Sequence, residues 1–172
     1  MELMRPALKL PRPPADPVAA LSACHDRIRQ YTSGLERLCA LPSLTHPQVP
    51  VAAGQAHRYF SEGLPKHAAD EDLSLGPRLL RVAPEAAPLV GRLAAEHVQI
   101  DAALEVLLPL LLKLSEGGTV EEEALRHASR QLSSVLIPHI LLEEAELFPL
   151  CARLTVADRE AFREELVARR NK

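Results

Sequence analysis

Tryptophan is absent from the 172-residue chain, and aromatic residues amount to only 3% of it. A core so poor in rings must be filled by aliphatic side chains. Seven glycines are too few for a strand-and-turn protein of this length. The three cysteines, Cys24, Cys39 and Cys151, are odd in number and lack CxxC spacing, which argues against a disulfide framework and suits a reducing compartment. Uninterrupted apolar sequence is also lacking: the stretch 104–114 is about half of what a spanning helix needs. A formal charge of −3 gives no electrostatic reason to expect nucleic acid. The expectation is a cytoplasmic protein, with neither membrane nor nucleic acid as partner.

What is present is aliphatic. Apolar residues make up 47% of the chain, mainly Leu, Ala and Val, and Leu and Ala favour helix intrinsically, so the fold class reads as all-α. Prolines punctuate it. Pro6, Pro11, Pro13, Pro14 and Pro17 mark 1–15 as a flexible Pro-rich tail that lacks the apolar block of a signal peptide. Helical patterns follow over about 16–41, 51–75, 84–114 and 119–154, with a short one over 157–170 that Thr155 is placed to cap. Their connections are short, which favours antiparallel neighbours and hence an up-down-up-down four-helix bundle over 16–155, with a C-terminal fifth helix in 156–172. Pro65, Pro109 and Pro138 fall inside predicted helices and should kink them. No internal repeat is evident, and the closing cluster of Arg169, Arg170 and Lys172 reads as a solvated helix end.

Three of the four long helices carry a histidine followed four residues later by a carboxylate: His67/Glu71, His97/Asp101 and His139/Glu143. An offset of four turns a side chain by roughly 40° and lifts it about 6 Å, so both groups of a pair share one helix face. The remaining long helix supplies His25, which has no acid at either four-residue offset. His97 and His139 sit among Leu93, Ile100, Leu104, Ile140 and Leu147, where bare carboxylates would be costly and a metal would compensate them. Nitrogen and carboxylate donors without thiolate suit iron, manganese or zinc, and so many donors exceed the four of one structural zinc. Two ions fit better.

These residues resemble the hemerythrin-like (HHE cation-binding) domains. The likeness rests on the isolated His25, on HxxDE at His67 to Glu71, on His97, and on HxxxEExxLFP from His139 to Pro149, and it spans roughly 18–155. It implies a non-heme di-iron centre inside a four-helix bundle, with His25, His67, Glu71, His97, His139 and Glu143 as ligands and the two glutamates as bridges. Oxygen-carrying members add a histidine one turn after the third-helix one, where this chain has Asp101, so Asp101 either ligates or holds the His97 ring from behind. Glu144 is a rival to Glu143 for the last ligand, and the four-residue offset favours Glu143.

Other conspicuous residues carry blander expectations. His57 lies ten residues before His67, about 15 Å along a helix, and His127 lies twelve before His139; both are too far to share a compact site. His46 reads as loop, Tyr31 and Tyr59 as packing, and Cys24 as a buried structural thiol. The function implied is a binder of O2 or another small diatomic for sensing, storage or transport, carrying two Fe ions, with Mn or Zn as substitutes. The alternatives are a di-iron oxidoreductase acting on O2, peroxide or nitric oxide, and an iron storage or regulatory protein. The chain is expected to be a monomer or homodimer.

Overall fold

A computed structural model of the chain describes residues 16–171. The expected Pro-rich tail, 1–15, and Lys172 lie outside the described residues. Within them the protein is helical without a strand. Helix α1 spans Pro17–Cys39, capped by the Asp16 side chain, which accepts from the Val18 amide. The second rod runs without a break through α2 (Val49–Arg58), α3 (Leu64–Asp70) and α4 (Gly76–Val82). Helix α5 spans Ala87–Ser115 and α6 Glu122–Leu142; the latter continues into the single turn α7 (Phe148–Leu150). Helix α8, Val156–Arg170, closes the chain, and the Thr155 hydroxyl accepts from the Asp158 amide as the sequence suggested.

Helix α1 packs on α2 and α6, and α5 packs on α2 and α6, which closes a ring of four antiparallel rods. Two boundaries differ from the sequence reading. The second rod does not stop at Gly76-Pro77 but runs on to Val82, and α6 begins at Glu122 rather than Thr119. Just past the end of α5, Gly117 has a φ of 79°, a left-handed conformation that glycine adopts at no steric cost.

The prolines explain the second rod. Three π-turns interrupt the α-helices, at Tyr59–Gly63, Glu71–Leu75 and Glu143–Leu147. Each closes with a bond spanning five residues, as from the Gly76 amide to the Glu71 carbonyl. Each is followed by a proline, Pro65, Pro77 or Pro149, in the first turn of the next α-segment. There a missing N–H leaves no partner unsatisfied, so the extra residue of the π-turn lets the rod pass its proline without breaking. Pro65 therefore follows a π-turn, whereas Pro109 and Pro138 lie within continuous α-helix.

Two apolar clusters fill the bundle. The larger holds Ile28, Leu35, Phe60, Leu104, Leu111, Leu132 and Ile140 among others. The smaller holds Leu21, Leu75, Leu79, Leu147 and Cys151, with Phe162 and Leu166 of α8 fully buried on it. Tyr31 and Tyr59 stack on each other with centroids 4.1 Å apart, in the packing role expected for them. A layer of buried polar side chains separates the two clusters. No helix among the described residues is long and apolar enough to cross a membrane.

Candidate metal centre

His25, His67, Asp70, Glu71, His97, His139 and Glu143 are all buried, and burying such groups is costly unless something compensates them. Their side chains form two groups able to hold a metal ion: His25, His67, Glu71 and Glu143 in one, and Glu71, His97, His139 and Glu143 in the other. Within each group the ligand atoms lie within 4.8 Å of one another. The two glutamates belong to both. Glu71 presents Oε1 to His67 Nε2 at 3.4 Å and Oε2 to His97 Nε2 at 3.4 Å. Glu143 presents Oε2 to His25 Nε2 at 3.1 Å and Oε1 to His139 Nε2 at 3.3 Å. Two donors each about 2.1 Å from a shared ion, at ordinary coordination angles, stand about 3.0–3.4 Å apart.

Hydrogen bonding sharpens the picture. The four Nε2 atoms and all four carboxylate oxygens of Glu71 and Glu143 are buried and have no hydrogen-bond partner. Each such orphan costs about 1–3 kcal/mol if nothing else meets it. On the outer side of the rings the opposite holds. His25 Nδ1 donates to Glu144 at 2.8 Å, His97 Nδ1 to Asp72 at 3.0 Å, and His139 Nδ1 to Glu96 at 3.0 Å. A carboxylate on Nδ1 fixes the tautomer that leaves Nε2 bare and raises its basicity, which is how metal-ligating imidazoles are held. The donor set therefore fits metal ions, with nitrogen and oxygen ligands throughout.

Electrostatics follow from the same crowding. Burial, then the neighbouring charge of Glu143, pushes the Glu71 carboxyl well above its usual range. Burial also pushes the Glu143 carboxyl up, but His139 and His25 outweigh it and hold that group below the usual range. His67 is pushed down to about 3, by burial first and then by His25. His139 goes up: burial opposes its charge, but Glu143 and Glu96 outweigh that. Glu71, Glu143, His67 and His139 thus compete for protons in one closed space, a competition that cations would end.

The sequence contains an internal repeat after all. Residues 67–77 and 139–149 share the pattern H-x-x-x-E-acid-x-x-L-x-P, as His67, Glu71, Asp72, Leu75, Pro77 and His139, Glu143, Glu144, Leu147, Pro149. In each copy the first acid opens a π-turn and faces the centre, while the second holds the lone histidine of another helix: Asp72 holds His97 and Glu144 holds His25. Glu143 rather than Glu144 thus joins the two groups, and Glu144 backs His25 while accepting from Arg29 at 2.6 Å.

Asp101 is placed differently from the sequence expectation. It is exposed and belongs to neither group, and Asp72 is the residue that holds the His97 ring. Asp101 lies instead on the lining of a small cavity of about 10 Å³, bounded by His67, His97, His139, Pro65, Ile100 and Leu136. Such a volume admits about one water-sized guest. His57 is half-buried, His46 and His127 are exposed, and none joins the centre. Cys24 is buried, as expected. Sequence reasoning missed Asp72 and Glu96, whose adjacency to Glu71 and His97 was the available signal. It also misjudged the closing cluster: Arg169 and Arg170 are not a solvated end but hold the buried Asp70.

The hemerythrin HHE cation-binding domain matches residues 16–151. A protein of Haemophilus influenzae (strain ATCC 51907 / DSM 11121 / KW20 / Rd), itself uncharacterized, is 26% identical, and the match covers 75% of each chain.

Proposed function

The chain belongs to the hemerythrin HHE cation-binding family, and from that premise we propose that its buried cage holds two iron ions and binds O2 or another small diatomic for sensing, storage or transport. The observation that carries this is the set of inward-facing Nε2 and carboxylate atoms, buried and without any hydrogen-bond partner. His25 and His67 would hold one ion and His97 and His139 the other, with Glu71 and Glu143 placed to serve both. Bound iron supplies the redox change and the open coordination position that a diatomic needs. The chain's own residues do the rest. Glu144, Asp72 and Glu96 keep three imidazoles aimed, Ile100 and Leu136 exclude bulk water, and the cavity beside His67, His97 and His139 limits guests to small ones. The three unbonded cysteines support a reducing, cytoplasmic setting.

Asp101 supports a second reading, an oxidoreductase acting on O2, peroxide or nitric oxide. An exposed carboxylate on the lining of that cavity can relay protons between solvent and guest, which a reversible binder does not need.

Metal analysis of protein from iron-supplemented cells decides the first point. About two irons per chain, with near-ultraviolet bands of a ferric pair, is the expected result, and manganese or zinc in their place would revise the metal alone. No metal after anaerobic reconstitution, with unchanged thermal stability, overturns the reading. A stable oxygen-dependent visible band marks a binder, and sustained turnover with a reductant marks an enzyme.

A further inference from the structure

Helix α8 lies beyond the stretch that matches the family, yet its last turn reaches the centre. Asp70, fully buried between His67 and Glu71, has both oxygens taken by α8: Oδ1 by Arg169 and Oδ2 by Arg170 at 2.5 Å. Arg169 also donates to the Ser74 hydroxyl at 3.0 Å, inside the π-turn that Glu71 opens. Arg170 further reaches Cys24 Sγ at 3.7 Å, next to His25, and its other arm is tied to the Leu166 carbonyl. Two guanidiniums therefore grip the side chains of Asp70 and Ser74, on either side of Glu71, and touch the helix that carries His25. The rest of α8 is anchored separately, by Phe162 and Leu166 in the core and by a two-pronged ion pair from Arg78 to Glu165.

The grip is one-sided. In the second copy of the repeat the place of Asp70 is taken by Leu142, which has no charge to hold. That half has its imidazoles fixed by Asp72 and Glu96 instead, whereas on the His25/His67 half the outer nitrogen of His67 has no hydrogen-bond partner. The arginines stand where the other support is missing.

We propose that α8 is a clasp, in which Arg169 and Arg170 act through Asp70 as positioning residues for Glu71 and so for the ion held by His25 and His67. This rests on the two-metal reading above. It implies reciprocity: whatever the clasp adds to metal affinity, bound metal adds to the docking of α8.

The full chain is titrated anaerobically with Co(II), with affinity read by competition against a chromophoric chelator and geometry read from the visible bands. Arg169→Ala with Arg170→Ala should weaken the weaker-bound ion by roughly 10–100-fold, the range for lost supporting hydrogen bonds around a metal ligand, and shift its bands. The double lysine variant should recover part of both. Phe162→Leu, which loosens α8 without touching Asp70, should lower thermal stability and leave the bands unchanged. In the unaltered protein, metal should slow amide exchange in 162–170. Wild-type affinity and bands in the double alanine variant overturn the clasp while leaving the two-metal reading intact. Should that variant not fold, unchanged exchange in 162–170 on metal loading overturns it instead. Failure of the unaltered chain to bind any ion overturns the two-metal reading and the clasp with it.

Discussion

His67 and His139 occupy matching places in the two copies of the repeat, yet only His139 has a carboxylate on its outer nitrogen. Glu96 accepts from His139 at 3.0 Å; the residue matching Glu96, the one before the lone histidine of the other half, is Cys24, and His67 Nδ1 is left without a partner.

Loading should therefore be stepwise. The His97/His139 half, with both imidazoles braced, should fill first, and the His25/His67 half should bind roughly 10–100-fold more weakly. Calorimetric titration of the metal-free protein should show two phases. His67→Ala should abolish the weaker phase and keep the tighter one. A single phase of two equivalent ions would contradict this.

Acid should separate the metal-free protein from its His67→Gln variant. The unfolded His67 protonates near 6.5, the folded one only at about 3, so between these values the unfolded chain binds the extra proton. The stability lost through His67 is thus nil above about pH 6.5 and grows as pH falls toward 3. Urea midpoints at pH 7.5, 6 and 5 should fall more steeply for the wild type than for the variant. Parallel curves would show that His67 titrates normally.

Glu71→Gln should act in the opposite pH direction. Its carboxyl is raised in the folded state, so the unfolded chain releases that proton first and stability declines as pH climbs above the ordinary glutamate value near 4.3. An amide of the same shape removes this decline. The metal-free variant should gain about 1 kcal/mol at pH 7.5 over the wild type, while its capacity for two ions is lost. Thermal melts with and without metal would check both halves of the trade.

Leu136 is 1% exposed and lines the small cavity. Leu136→Ala should cost about 2–5 kcal/mol of stability and enlarge the space beside His97 and His139. Binding of azide, a larger anion than the space now admits, should strengthen relative to that of smaller guests. Unchanged selectivity would mean that guests enter elsewhere.

The sequence carried the parts that obey simple periodicity. The helices announced themselves through Leu and Ala patterns and proline stops, and His67/Glu71 and His139/Glu143 through their four-residue offsets, which place both groups on one face. The same offset rule drew attention to Asp101, which is exposed, and passed over Asp72 and Glu96, which stand on their helices at other angles. What matters for those two is the relation between helices, and no offset along one helix encodes it. The end of the second rod was misplaced for a related reason: Gly76-Pro77 is a stop signal for an α-helix, and only the preceding π-turn lets the chain continue. Arg169 and Arg170 look like any charged terminus until Asp70, a hundred residues away in sequence, is found beneath them.

The π-turns at Glu71 and Glu143 each hold one residue more than an α-helix would use over the same length. Deleting a residue from 72–75 or 144–147 would leave a helix with ordinary bonding and every side chain nominally in place. It would also turn everything on one side of the deletion by about 100° relative to the other, aiming the histidine–glutamate pair away from its partners or Leu75 and Leu147 away from the core. The frame of this protein is thus kept by counting residues as much as by choosing them, and the shortest lesion that silences it leaves its composition almost untouched.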